Sequence, residues 1–311
     1  MRVKTGARIH VTLIDLNGAI GRVDGGVGFA INEPSIEVMA KESDEIRILG
    51  NAKNFERFEK VSKKLKEIFG HGIEIEVLAD YRAHVGLGSG TQVSLAVGKA
   101  YSELYGLGLS VREIATIVER GGTSGIGVSV FEHGGFIVDG GHRWEEKRGF
   151  LPSSVSKAKP APMISRLEFP DWKVVLAIPE LSGAYGLGEV DLFKSSCPIP
   201  LEDVRELCHI ILMKLLPAVA EKDLDSFNEA IGKIQRVGFK KIEVKRYGSL
   251  IRDLLETLPI GMSSTGPSVY AVVDSNAKQI AKEIKDYFAE KGIESDVLIT
   301  SGKNRGAEIA V

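Results

Sequence analysis

Residues 84–92 read His-Val-Gly-Leu-Gly-Ser-Gly-Thr-Gln, so that Gly86, Gly88 and Gly90 alternate just before apolar residues at helical spacing. Glycines let a backbone close on an anion, and the first-turn amides of a helix point about half a positive charge at it. That is the chemistry of a phosphate cradle, to which Ser89, Thr91 and Gln92 add polar side chains. The hydroxyls of Ser89 and Thr91 are also hard oxygen donors of the kind Mg²⁺ accepts. Neither standard nucleotide loop is complete: a Walker loop closes on Gly-Lys-Ser/Thr, and a dinucleotide fingerprint needs one more glycine two residues on. Two further segments repeat this composition, Gly121-Gly-Thr-Ser124-Gly125-Ile-Gly127 before a helix and Gly261-Met-Ser263-Ser264-Thr265-Gly266-Pro267 before a strand. Each alone has a tight turn as its alternative reading; three in one chain point to a phosphate-binding surface.

Other residues could complete such a surface. Arg8 and His10 share one face of a strand, where i, i+2 spacing aims both at one ligand or leaves them as a surface pair. Arg82 and His84 directly precede the glycine loop. Asp15 and Asp24 are candidate partners of Mg²⁺ or of ribose hydroxyls, but beside Asn17-Gly18 and Gly25-Gly26 they are also ordinary turn formers. Glu132 and His133 end a helix before Gly134-Gly135 and form a candidate acid–base pair; a histidine there also suits a helix carboxyl end. Asp139, just past a buried strand, is a candidate ion or substrate ligand, and Tyr185 could stack on an aromatic substrate. Cys197 and Cys208 are the only cysteines, which excludes a structural zinc site and fits a reduced interior, with Cys208 expected on an apolar helix face. No Ser-His-Asp or Cys-His arrangement is evident.

The elements that must position these residues belong to a chain of 311 residues, enough for two domains or one large one. At 43% hydrophobic and 26% charged residues it is a folded protein. A net charge of −2 provides no field for nucleic acid, and the short apolar runs and charged start predict neither a membrane span nor a secretory signal, so the cytoplasm is expected. Strands are expected at 3–13, 28–31, 36–40, 45–49 and 73–78, with helices at 54–69, from about 90 to 105, at 111–120 and at 124–132. A Pro- and Ser-containing stretch at 150–163 marks a crossing between domains 1–155 and 156–311. The second half is expected to hold strands at 173–178, 268–274 and 295–300. Its helices include one from Leu201 to about Leu216, ending near Pro217, and one capped by Asn276. The class is α+β.

Segment 7–18 (Ala-Arg-Ile-His-Val-Thr-Leu-Ile-Asp-Leu-Asn-Gly), segments 86–92 and 124–141, and the late Ser-Ser-Thr-Gly-Pro loop resemble the motifs of the GHMP kinase superfamily, in its order and spacing. Within that superfamily, Phe131-Glu-His-Gly-Gly-Phe-Ile-Val-Asp139-Gly-Gly141 is similar to the archaeal branch that makes β-ribofuranosylaminobenzene 5′-phosphate for methanopterin. The resemblance implies a GHMP-kinase-like two-domain fold, with a ribosomal-protein-S5-like amino-terminal domain and a ferredoxin-like α/β sandwich after it. It implies a pentosyltransferase that condenses phosphoribosyl pyrophosphate with 4-aminobenzoate or 4-hydroxybenzoate, releasing CO₂ and pyrophosphate. Mg²⁺ would be the one cofactor, with no organic cofactor, and the assembly a homodimer. On this reading Glu132, His133 and Asp139 are catalytic, and Ser89, Thr91, Asp15 and Asp24 serve Mg²⁺. Substrate or phosphate would meet Arg8, His10, Arg82, His84, Gly86, Gly88, Ser89, Gly90, Thr91, Gln92, Ser124, Gly125, Tyr185, Ser263, Ser264, Thr265 and Gly266. The kinases usually carry proline where His84 stands, a departure that favours the synthase branch. The alternatives are an ATP-dependent small-molecule kinase, for which neither the first-strand loop nor the glycine loop supplies a lysine, and a nucleotide-sensing scaffold.

Overall fold

A computed structural model describes residues 1–181 and 187–310. Its larger sheet is built on a long antiparallel pair, β1 (Arg2–Asp15) and β2 (Arg22–Ser43). The sequence suggested two short strands in place of β2; pairing holds on both sides of Pro34, with Ile36 opposite Thr5 and Ala30 opposite Arg8, and joins them. β3 (Ile46–Leu49) runs parallel to β4 (Gly72–Ala79) because helix α1 (Phe55–Phe69) makes the crossover between them. β5 (Phe136–Asp139) and β6 (His142–Arg143) pair with β2, and β7 (Met163–Leu167) pairs with β5.

The smaller sheet is antiparallel in the order β11-β8-β10-β9, from β8 (Lys173–Pro179), β9 (Ile260–Met262), β10 (Val269–Val273) and β11 (Ser295–Ser301). The chain then returns to the first sheet as β12 (Glu308–Ala310), beside β1. A single cut at 155/156 thus separates β7 and β12 from the sheet they complete.

Helix α2 (Ser89–Leu104) packs on β1 and β2; of the apolar residues at helical spacing, Val93, Val97 and Ala100 are fully buried and Leu104 partly so. α3 (Val111–Ile117) lies close against it: a Cβ on Gly98 would stand 2.3 Å from Ile114 Cγ2. α4 (Ile126–His133) and the one-turn α5 (Trp144–Lys147) finish the first half. The second half carries α6 (Leu187–Ser196), α7 (Leu201–Ile210), α8 (Leu216–Glu221), α9 (Leu224–Ile234), α10 (Gly238–Lys245), α11 (Gly248–Thr257) and α12 (Ala277–Glu290). One core joins both halves, with Phe29 stacked on Phe169 at 4.4 Å and edge-on to Tyr270. Among the described residues no helix is long and apolar enough to cross a membrane.

Three expectations are corrected. The helix from Leu201 does not stop near Pro217: a π turn at Ile211–Leu215 widens the coil ahead of the proline ring, and α8 continues beyond it. Its inward stripe is Val204, Leu207, Ile210 and Ile211, which leaves Cys208 exposed. Asn276 stands at the start of α12 in a left-handed conformation (φ 49°), and its side chain makes no capping bond.

Candidate active site

Three distant segments interlock at the glycine loop. Gly86 and Gly88 have φ of 82° and 77°, open to glycine at little cost, and a Cβ on Gly86 would fall 2.3 Å from the Ser263 carbonyl oxygen. The Gly86 carbonyl accepts from Arg8 Nη1 at 2.6 Å and from Ser263 Oγ at 2.7 Å. Ser263 Oγ in turn accepts from the His10 amide at 3.0 Å, and the Ser264 amide donates to the His10 carbonyl at 2.8 Å. Behind this clasp, Lys240 Nζ donates to the Ser264 carbonyl at 2.6 Å and pairs with Glu243 at 2.5 Å, both buried, while Tyr247 donates to the Thr265 carbonyl at 2.8 Å. Desolvation lowers the Arg8 guanidinium to about 10, so it stays charged at neutral pH. Register shifts on either side of Arg8 and His10, between Gly6 and Arg8 and between His10 and Thr12, re-aim this stretch of β1 toward the loop.

A second group adjoins it at the head of α4. His10 Nε2 lies 3.1 Å from Ser124 Oγ, and Ser124 Oγ donates to Asp139 Oδ2 at 3.1 Å. Asp139 also accepts from the amides of Gly125 at 2.8 Å and Gly141 at 3.0 Å. Burial raises the Asp139 carboxyl to about 6, against the pull of these hydrogen bonds and of His142. Burial first, then Arg8 and Lys240, hold His10 well below its ordinary value, so it is neutral, while Ser124 turns its proton to Asp139. Asp139 is fully enclosed, His10 is 6% exposed, and Ser124 is the most accessible of the three. Gly26 makes room for them, since a Cβ there would stand 2.6 Å from Ser124 Oγ and 2.8 Å from Asp139 Oδ2.

Several candidates are placed elsewhere or already engaged. Gln92 is a buried strut, accepting from Thr5 Oγ1 at 2.8 Å and donating to the Gly127 carbonyl at 2.9 Å. The Gly125 amide belongs to Asp139 and the Ser263 hydroxyl to the clasp, so neither is available to a ligand. Of residues 263–266, Ser264 alone is not buried. Arg82 donates to the Pro179 carbonyl at 2.7 Å. Tyr185 lies outside the described residues. Asp15 accepts from the amides of Asn17 and Gly18, both at 2.8 Å, as a turn former, and stands five strand positions past His10, roughly 17 Å on. Asp24 is buried, with Oδ2 held by His142 Nδ1 at 2.6 Å and Lys147 Nζ at 2.9 Å and Oδ1 without a hydrogen-bond partner among the described residues. The four residues expected around Mg²⁺ therefore do not form one ligand set, and no group of three or more His, Cys, Asp or Glu among the described residues could hold a metal. Glu132 and His133 pair with each other at 3.4 Å at the far end of α4, half-exposed beside residues 305–307.

The sequence reading missed Lys147, Lys240, Glu243, Arg57 and Arg120. Lys147 is fully buried, donating also to the Gly122 carbonyl and to Thr123 Oγ1, and so fixes the loop that presents Ser124. Nothing in the pattern of isolated lysines and arginines distinguishes these from a solvated face. His84 has φ 60°, a conformation closed to proline, in keeping with the departure noted at that position.

The GHMP kinases N terminal domain model matches residues 56–135, and the GHMP kinases C terminal model residues 215–290. The chain is 62% identical over 312 residues to a β-ribofuranosylphenol 5′-phosphate synthase of Archaeoglobus fulgidus, covering 100% of both chains. It is 45% identical to the protein of that name from Methanocaldococcus jannaschii, covering 99% of this chain and 100% of the relative. Among solved structures, homoserine kinase from Cytophaga hutchinsonii superimposes with a TM-score of 0.66 at 18% identity, over 99% of this chain and 97% of that one, a likeness of fold. The chain belongs to the GHMP kinase superfamily and, within it, to the family of the β-ribofuranosylphenol 5′-phosphate synthases.

Proposed function

We propose that this enzyme is a pentosyltransferase of modified-pterin biosynthesis, condensing phosphoribosyl pyrophosphate with 4-hydroxybenzoate to give a ribofuranosylphenol 5′-phosphate, CO₂ and pyrophosphate. Full-length similarity to enzymes named for the phenol product carries this reading and favours the hydroxy over the amino acid. The C1–oxygen bond to pyrophosphate breaks with its electron pair leaving on the diphosphate, the carboxyl-bearing ring carbon attacks C1, and the bond to the carboxylate then returns its pair to the ring as CO₂. Such a reaction needs orientation and charge stabilisation more than a protein nucleophile.

The glycine-loop amides and Arg8 suit the phosphates of the donor. Ser124, backed by ionised Asp139, takes up the aryl hydroxyl proton, which raises electron density at the para carbon; the proton is held between Ser124 and Asp139 and returned to the product. Neutral His10, 3.1 Å from Ser124 Oγ, positions that hydroxyl beside Asp139. Mg²⁺ arriving on the diphosphate would find the hydroxyl of Ser89 or of Thr91, two positions apart on α2 and so on different faces, neither of them hydrogen-bonded to another side chain among the described residues; it would supply positive charge for the departing group.

The test is release of labelled CO₂ from carboxyl-labelled 4-hydroxybenzoate or 4-aminobenzoate with phosphoribosyl pyrophosphate, with and without Mg²⁺, beside an ATP control. Release that is faster with the hydroxy acid is expected. ADP formation with an acceptor alcohol and no CO₂ from either acid would replace this reading by a kinase.

A further inference from the structure

Arg57 approaches the glycine loop at Gly90, two residues past the Gly88 that Arg8 approaches, and Arg120 acts on Arg57's neighbourhood from the end of α3. Arg57 reaches from the first turn of α1 over α2, where a Cβ on Gly90 would lie 3.7 Å from its Nε and 3.8 Å from its Nη2. Arg120 leads from α3 into the loop 121–125, and its Nε is buried with no hydrogen-bond partner. Among the described residues neither guanidinium has a side-chain hydrogen bond or an ion pair. Glu119, the acid that acts on Arg120, is held instead by Lys64 at 3.1 Å. His84, at the exposed rim, feels both arginines. Burial, and then Arg57, lower Arg120 to about 10, and burial lowers Arg57 as well. Holding two like charges partly buried with no ion pair of their own costs free energy, and such a cluster is the mark of a site made for an anion.

We propose that Arg57 and Arg120, with the first-turn amides of α2, form the subsite for the diphosphate group of the ribosyl donor. The identity of the anion rests on the reaction proposed above. Arginine forks match phosphate oxygens two at a time, and a diphosphate beside Gly90 would receive backbone amides on one side and guanidinium groups on the other. Charge developing on the departing group is then met by donors already in place.

The test titrates inorganic pyrophosphate and, separately, ribose 5-phosphate into the wild-type protein, Arg57→Met, Arg120→Met and the charge control Lys63→Met, with melting curves of the ligand-free proteins. Each arginine variant is expected to weaken pyrophosphate binding about 10- to 30-fold, to change ribose 5-phosphate binding less than about twofold, and to melt no lower than wild type, because an unpaired, partly buried charge has been removed. Arg57→Lys recovers part of the loss; Lys63→Met loses nothing. Unchanged pyrophosphate affinity, a loss confined to ribose 5-phosphate, or a loss that comes only with a lowered melting temperature overturns the subsite. Pyrophosphate binding that depends on both arginines in a protein that releases no CO₂ keeps the subsite and overturns the reaction. Product formation with both variants binding pyrophosphate normally does the reverse.

Discussion

The two ends of α4 carry similar residue types and opposite surroundings. At its start, Ser124 is fixed between His10 and Asp139 within hydrogen-bond distance, with Lys147 bracing the loop from below. At its end, about 12 Å away at 1.5 Å per residue, Glu132 and His133 have no ion-pair partner but each other among the described residues, with 29% and 41% of their side chains exposed. In sequence the second pair looks the more reactive, an acid beside a histidine before two glycines. Reactivity here depends on desolvation, and the first end is enclosed enough for burial to raise Asp139 and lower His10.

Four measurements sharpen or break this contrast. Lys147→Met leaves Asp24 buried with His142 as its only ionisable partner; a loss of about 3 kcal/mol of stability is expected in urea unfolding, and an unchanged midpoint would show that the bracing is dispensable. Ser124→Ala removes the hydroxyl that connects His10 to Asp139, and kcat is expected to fall about 100-fold with little change in KM for phosphoribosyl pyrophosphate.

The third is a pH series. Folded Asp139 binds more protons than the unfolded residue between its ordinary pKa and about 6, so its effect is to raise stability as pH falls through that window. Folded His10 binds fewer, so its effect is to lower stability as pH falls below about 6.5. The two oppose each other. Asp139→Asn is therefore expected to lose stability between pH 6 and 5 more steeply than wild type, by up to about 1.4 kcal/mol per pH unit, and parallel curves would contradict the assignment. Activity of the wild type falls as pH drops through about 6, where Asp139 is protonated. The smallest effect is reserved for the exposed end: Glu132→Gln with His133→Ala is expected to keep kcat within about twofold, as surface changes usually do, and a large loss would move the chemistry to that end.

The glycine loop was legible because its signal is local: alternating glycines, then a helical stripe, specify both a backbone conformation and a helix start, and Gly86, Gly88 and α2 stand where that reading places them. The family motifs identified the fold by the same kind of local pattern. Lys147 and Lys240 were not legible, since a lysine's burial is decided by residues far off in sequence, Asp24 for one and the Ser264 carbonyl for the other. Cys208 was misread for a geometric reason, as the stripe of α7 advances by three residues from Leu207 to Ile210 before the π turn shifts the face again. β12, three residues long, has no periodicity to show.

The Gly86 carbonyl is closed by Ser263, 177 residues further along the chain. During synthesis at about 5–20 residues per second, roughly 9–35 s pass between the emergence of the glycine loop and that of the residue that clasps it. Throughout that interval the glycine loop lacks the segment that closes over it, so this contact is among the last that the chain can make. Turnover by this enzyme is in that sense a report that translation has passed the last glycine loop.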